Sequence, residues 1–137
     1  MTLADTRTPL LVQGGYYVGT GVVPFVSRRA FEALTGPKRE WWLVQTVGAL
    51  VVVEGAGLLV AAIRRRQTPE LVAIGAGSAV ALAAIDVVYV ARRRIAPTYL
   101  ADAAVEAALV RGLVRGWRAG GGTPSAPSAA VASHARP

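Results

Sequence analysis

Four acids stand within apolar sequence: Glu54 in "ALVVVEGAGLLV", Asp86 in "LAAIDVVYV", and Asp102 with Glu106 in "YLADAAVEAALV". A carboxyl in such surroundings needs a hydrogen-bond donor, a cation or water, because an isolated charge there is costly. Three kinds of chemistry are open to it. It can hold the polar head of a ligand, relay a proton, or bond to a neighbouring helix and fix the packing register. Tyr89 follows Asp86 by three residues and shares its helical face. Tyr16, Tyr17 and Gln45 add further groups able to satisfy a buried acid. The candidate ligand pocket is therefore Glu54, Asp86, Tyr89, Gln45, Tyr16 and Tyr17. In the loop "FEALTGPKRE", Glu32 and Lys38 are candidates for the pocket mouth, with a capped, solvated connector as the alternative. Asp102 and Glu106 lie one turn apart, where pairing with the nearby arginines Arg92, Arg93 and Arg94 is the plainer expectation.

No catalytic set is complete. The chain has no cysteine, and its one histidine, His134, sits in the polar C-terminal stretch. That excludes thiol nucleophiles, disulfides, Cys-based metal sites and a histidine cluster. Ser27 and Ser78 have no evident base, and no D-x-x-x-D on one helix supports a carboxylate metal site. No cofactor is expected. The pairs Gly55/Gly57 and Gly75/Gly77 lack the strand–turn–helix context of a dinucleotide loop, and close helix packing accounts for them. The net charge of +7 raises the question of nucleic acid. Its carriers, fourteen arginines and Lys38, mostly flank apolar runs, where they meet lipid headgroups rather than a groove, and no nucleic-acid reading module is present.

The elements that must position these acids follow from composition. Apolar residues make up 53% of the 137-residue chain and charged residues 17%, and the charges are clustered. Long uncharged runs match the roughly 20 apolar residues that a bilayer requires of a helix. The reading is an all-α, integral membrane bundle of four helices, over about 10–26, 41–63, 70–91 and 98–118. A polar leader (1–9) precedes them and a disordered Gly/Ala/Ser/Pro-rich tail (119–137) follows. The fourth helix turns basic at Arg111, Arg115 and Arg118, so it either spans or lies partly in the interface. Gly15 and Gly19 form a G-x-x-x-G pair for close helix approach. In the 27–40 connector a short interfacial helix is expected, with Phe31 and Leu34 turned towards lipid and a stop at Gly36. Trp41 and Trp42 anchor one interface, and the clusters Arg64, Arg65, Arg66 and Arg92, Arg93, Arg94 anchor both. Thr68, Pro69 and Glu70 read as cap, first-turn proline and dipole-compatible acid. The two arginine clusters must lie on opposite sides, and the basic residues then divide eight against seven, which sets no orientation by the positive-inside rule. By a rise of ~1.5 Å per residue, Glu54 and Asp86 lie at depths differing by about 6 Å, close enough for one cavity.

The stretches "FEALTGPK", "TVG" and "AIDVVYV" resemble small four-span membrane proteins of bacteria, over about residues 10–110. That resemblance implies a four-helix membrane fold and supplies no activity; the location expected is the bacterial inner membrane. The architecture is also distantly similar to emopamil-binding-protein-type modules, which implies room for a lipid-like ligand without a motif to align. The function expected is binding of a small lipophilic or amphiphilic molecule. One alternative is a non-catalytic assembly subunit that packs against a second copy or a larger membrane partner. The other is a proton-coupled small transporter.

Overall fold

The computed structural model describes residues 4–120, and all of their regular structure is helical. Five helices follow one another: α1 (Ala4–Val26), α2 (Arg28–Thr35), α3 (Trp41–Ile63), α4 (Pro69–Ala91) and α5 (Tyr99–Ala119). The bounds of α3 match the sequence reading, and those of α4 and α5 differ from it by one residue. Thr68 caps α4 as its position implies, its hydroxyl accepting from the Leu71 N–H, and Pro69 occupies the first turn.

Both chain ends depart from expectation. The polar leader placed at 1–9 is helical from residue 4, because Thr6 and Leu10 lie one turn apart and both bury completely. At the other end α5 continues through Ala119 and closes when the Gly120 N–H bonds to the Gly116 carbonyl at 3.0 Å. The rest of the expected disordered tail, 121–137, lies outside the described residues.

The long helices form two hairpins. In the first, α1 and α3 pack closely, with α2 in their connection; in the second, α4 packs on α5. The hairpins join along an α1–α5 seam, so α3 and α4, though consecutive, are not close neighbours. The α1–α3 contact rests on glycines. A Cβ at Gly14 would stand 2.7 Å from the Gly55 carbonyl oxygen, and one at Gly21 would stand 2.7 Å from that of Gly48. The seven-residue spacing repeats on both helices in antiparallel order. Gly15 and Gly19, the pair singled out from sequence, face open space instead. A seven-residue repeat stays on one seam of a helix pair, and 14 and 21 hold that seam while 15 and 19 rotate away from it.

Among the described residues, only α3 and α4 are long and apolar enough to cross a membrane. In their most apolar windows just 28% and 22% of residues are buried, unlike the core helix of a water-soluble bundle. Leu50, Val53 and Ile63 on α3, and Ile74, Val80 and Ile85 on α4, are more than half exposed. The more polar α1 and α5 bury some of their polar residues, Thr6, Gln13 and Glu106 at 0–1% exposure, and leave the α5 arginines outside. Near the α3–α4 turn Leu10, Leu58, Ala62, Val72 and Leu113 form an apolar core cluster. Gln13 Nε2 donates to the Gly75 carbonyl at 2.7 Å and Arg7 Nε to that of Ala62 at 3.1 Å, tying α1 to both outer helices there.

Candidate functional site

At the opposite end the two hairpins do not close on each other, and a cavity of about 740 Å³ remains between them. Its walls come from all five helices. Val44, Val47 and Val51 of α3 and Leu82 of α4 supply apolar surface, and Phe31 and Thr35 of α2 lie across the mouth. The polar groups gather on α1, α4 and α5: Tyr16, Tyr17, Asp86, Tyr99, Asp102 and Glu106.

Helical spacing brings them together. On α4 the inward residues Val72, Gly75, Ala79 and Asp86 follow one stripe, so Asp86 buries to 6% exposure. On α5 the inward stripe is Ala103, Glu106, Leu109, Leu113 and Gly116, which leaves Arg111, Arg115 and Arg118 outside. Adjacent tyrosines on α1 then serve adjacent acids on α5. Tyr16 donates its hydroxyl to Asp102, and Tyr17 donates to Glu106 at 3.0 Å. Asp86 sits beside Asp102 near enough for the two carboxyls to interact. Its Oδ2 is buried and has no hydrogen-bond partner. Among the described residues the only ion pair is Arg28 with Glu32, so the three cavity acids have no cation of their own.

The sequence-derived candidates divide. Tyr16, Tyr17 and Asp86 line the cavity. Glu54 does not line it; it lies behind, within electrostatic reach of Tyr17 and Glu106, with Oε1 buried and unpartnered. Glu54 and Asp86 do not face one another across an α3–α4 contact, because those helices belong to different hairpins. Tyr89 is 42% exposed, with the Arg92 guanidinium 5.9 Å from its ring centre. It shares a side of α4 with Asp86 but has rotated off the inward stripe. Gln45 is half-buried and outside the lining. Asp102 and Glu106, expected to pair with Arg92 to Arg94, bond to tyrosines instead, since those arginines lie exposed beyond the end of α4.

The mouth is organised by Glu32 and Lys38 without either lining it. Ser27 caps α2 through the Ala30 N–H, and Gly36, at φ +79°, ends it in a backbone conformation that favours glycine. Glu32 accepts from Arg28 Nε at 3.1 Å and from the Lys38 backbone N–H at 3.0 Å. That N–H, with the Arg28 guanidinium behind it, holds the Glu32 carboxyl below its ordinary value. Lys38 Nζ donates to the Thr35 carbonyl at 2.8 Å and lies 5.2 Å from the centre of the Tyr99 ring. Partial burial lowers its ammonium's affinity for the proton. Thr98 Oγ1 donates to the Leu34 carbonyl at 2.5 Å, joining α2 to the start of α5. Phe31 turns to the cavity rather than outward and meets Trp41 edge-on at 5.8 Å, while Arg28 stacks over Trp41. Trp42 is 62% exposed, and Arg64, Arg65, Arg66, Arg92, Arg93 and Arg94 are all exposed.

In comparison with known proteins, no family model, no curated protein and no solved structure matches the chain. The site therefore stands on its own geometry.

Proposed function

We propose that the four long helices cross a bilayer and that the cavity binds a small amphiphile with a cationic or proton-donating head. The exposed apolar surfaces of α3 and α4 support the membrane setting, and the buried polar residues of α1 and α5 are what spanning helices with acids require. The resemblance to bacterial four-span proteins carried by "FEALTGPK" and "AIDVVYV" favours a bacterial inner membrane.

One observation carries the ligand reading: Asp86 Oδ2, buried and unpartnered, on the wall of a cavity that Asp102 and Glu106 share. Adjacent carboxyls in a low-dielectric setting favour a bound cation or a shared proton. The volume falls within the range of small-molecule sites, and the apolar walls suit a hydrocarbon body. The test pairs decylamine with decanol, matched in chain length, against the protein in nanodiscs. Amine at about 100 times its Kd should raise unfolding free energy by about 2.7 kcal/mol, with decanol giving less. Asp86→Asn, with folding checked by circular dichroism, should abolish the preference. Equal stabilisation by both compounds, or a preference untouched by Asp86→Asn, would refute the reading.

A second reading, self-association, is favoured by the outer face of α1. Val12, Gly15, Gly19, Val22 and Val26 line that face with heptad-like spacing, and nothing stands within 4 Å of a Cβ built at either glycine. Native mass spectrometry showing a dimer that Gly15→Leu with Gly19→Leu dissolves would support it.

A further inference from the structure

The α3–α4 corner carries a second candidate site, remote from the acid-lined cavity. Because the two helices diverge, a groove of about 540 Å³ opens between them, floored by Ala56, Gly57, Val60 and Leu71. Arg64 and Arg66 stand at its end, and no carboxylate lines it. Gly57 deepens it, since a Cβ there would meet nothing within 4 Å.

The turn that presents these arginines is unusual for its sequence. The Arg66 N–H bonds to the Ala61 carbonyl at 2.8 Å and the Arg65 N–H to that of Ala62 at 3.2 Å, the paired closure that ends a helix in a left-handed residue. That residue is Arg65, at φ +55°, where glycine would avoid a steric cost. The α4–α5 corner repeats the geometry with Arg93, also at +55°. There, however, Arg92 lies over the Tyr89 ring. At the α3–α4 corner none of the three arginine side chains has a hydrogen-bond or ion-pair partner among the described residues. Two unpartnered cations, Arg64 and Arg66, therefore stand at one end of a largely apolar groove, with Arg65 beside them in the turn.

We infer that this corner binds an anionic phospholipid of the surrounding bilayer, its phosphate between Arg64 and Arg66 and one acyl chain along Ala56, Gly57 and Val60. Charge complementarity selects the headgroup, and the planar guanidinium fork suits phosphate oxygens. Away from Arg64, Arg66 and Thr68 the groove is apolar and suits a hydrocarbon chain. This site rests on the membrane setting proposed above and is independent of the cavity ligand.

The test is native mass spectrometry of the full chain released from nanodiscs of equal phosphatidylglycerol and phosphatidylcholine with identical chains. Wild type should retain one phosphatidylglycerol with an ~30-fold preference, the size expected of two arginines at an anionic surface. Arg64→Gln with Arg66→Gln should erase the preference, and the corresponding lysine pair should keep most of it. Gly57→Leu, which fills the groove at a position open in the fold, should reduce retention of both lipids. Arg92→Gln with Arg94→Gln should change nothing. Equal loss in the Arg92/Arg94 pair, or full retention after Gly57→Leu, would overturn the site in favour of unspecific headgroup attraction. Release of the protein from membranes by alkaline carbonate would overturn the membrane setting, whereas a firmly embedded protein without lipid preference would overturn this site alone.

Discussion

Replacing Gly55 by alanine tests the α1–α3 packing directly, because Gly57 on the same helix provides a matched control. The added Cβ at 55 would lie 2.8 Å from the Gly14 oxygen, 2.8 Å from Tyr17 Cβ and 2.9 Å from the Val18 nitrogen. Ordinary contact begins at 3.4 Å, so the shortfall is 3.4 minus 2.8, or 0.6 Å, and two of the three obstructing atoms are backbone. Helix α1 must therefore retreat, since no side-chain rotation relieves the clash. Overpacking of this kind costs about 1–3 kcal/mol. Alanine also gains up to about 1 kcal/mol over glycine in helix propensity, but Gly57→Ala gains the same and meets open space. The difference between the two variants is thus the steric cost alone, about 1–3 kcal/mol against Gly55→Ala. Denaturant titration in detergent, followed by circular dichroism, measures it. Variants agreeing within about 0.5 kcal/mol, the spread of surface substitutions, would refute the packing argument.

Three further expectations follow from the same geometry. Tyr17→Phe strips Glu106, 1% exposed, of its donor and should cost about 1–3 kcal/mol in the same titration. Thr98→Val removes the bond to the Leu34 carbonyl and should speed amide exchange in residues 28–38 while leaving α4 protected. The Glu32 carboxyl is held below its ordinary value in the folded chain, so its contribution is complete above the unfolded carboxylate range and lost as pH falls through the lowered value. The Lys38 amide should accordingly be protected at neutral pH and lose that protection as pH falls through the lowered value; Glu32→Gln should remove that pH dependence.

Local signals in the sequence were strong where one helix decides the outcome. The length of α3, the Thr68–Pro69 start of α4 and the stop at Gly36 all follow from capping and hydropathy within a few residues. What the sequence did not disclose was which helices pair. Depth along the helices matches Glu54 with Asp86, but depth is blind to the order of helices around the bundle. With α1 and α5 at the seam, the carboxyl that lies beside Asp86 is that of Asp102 instead. A signal for them did exist: Arg111, Arg115 and Arg118 claim one side of α5, so Asp102 and Glu106 must occupy the other, opposite two consecutive tyrosines. The packing glycines were also legible, through the shared seven-residue spacing of Gly14/Gly21 and Gly48/Gly55 rather than through G-x-x-x-G.

The division of the molecule into an apolar core at one end and a cavity at the other has a mechanical consequence. Two stiff hairpins joined by the short turn at Arg64–Thr68, with core packing beside it, are arms sharing a pivot. Asp86 stands eighteen residues along α4 from Thr68, about 27 Å at the rise of a helix, so a rotation of about 5° at the pivot displaces it by about 2 Å. The restraints at the cavity end, the Tyr16 and Tyr17 hydroxyls on Asp102 and Glu106, Thr98 on the Leu34 carbonyl and Lys38 over Tyr99, act at a distance from that pivot. These contacts resist spreading of the arms more effectively than the same contacts would near the turn.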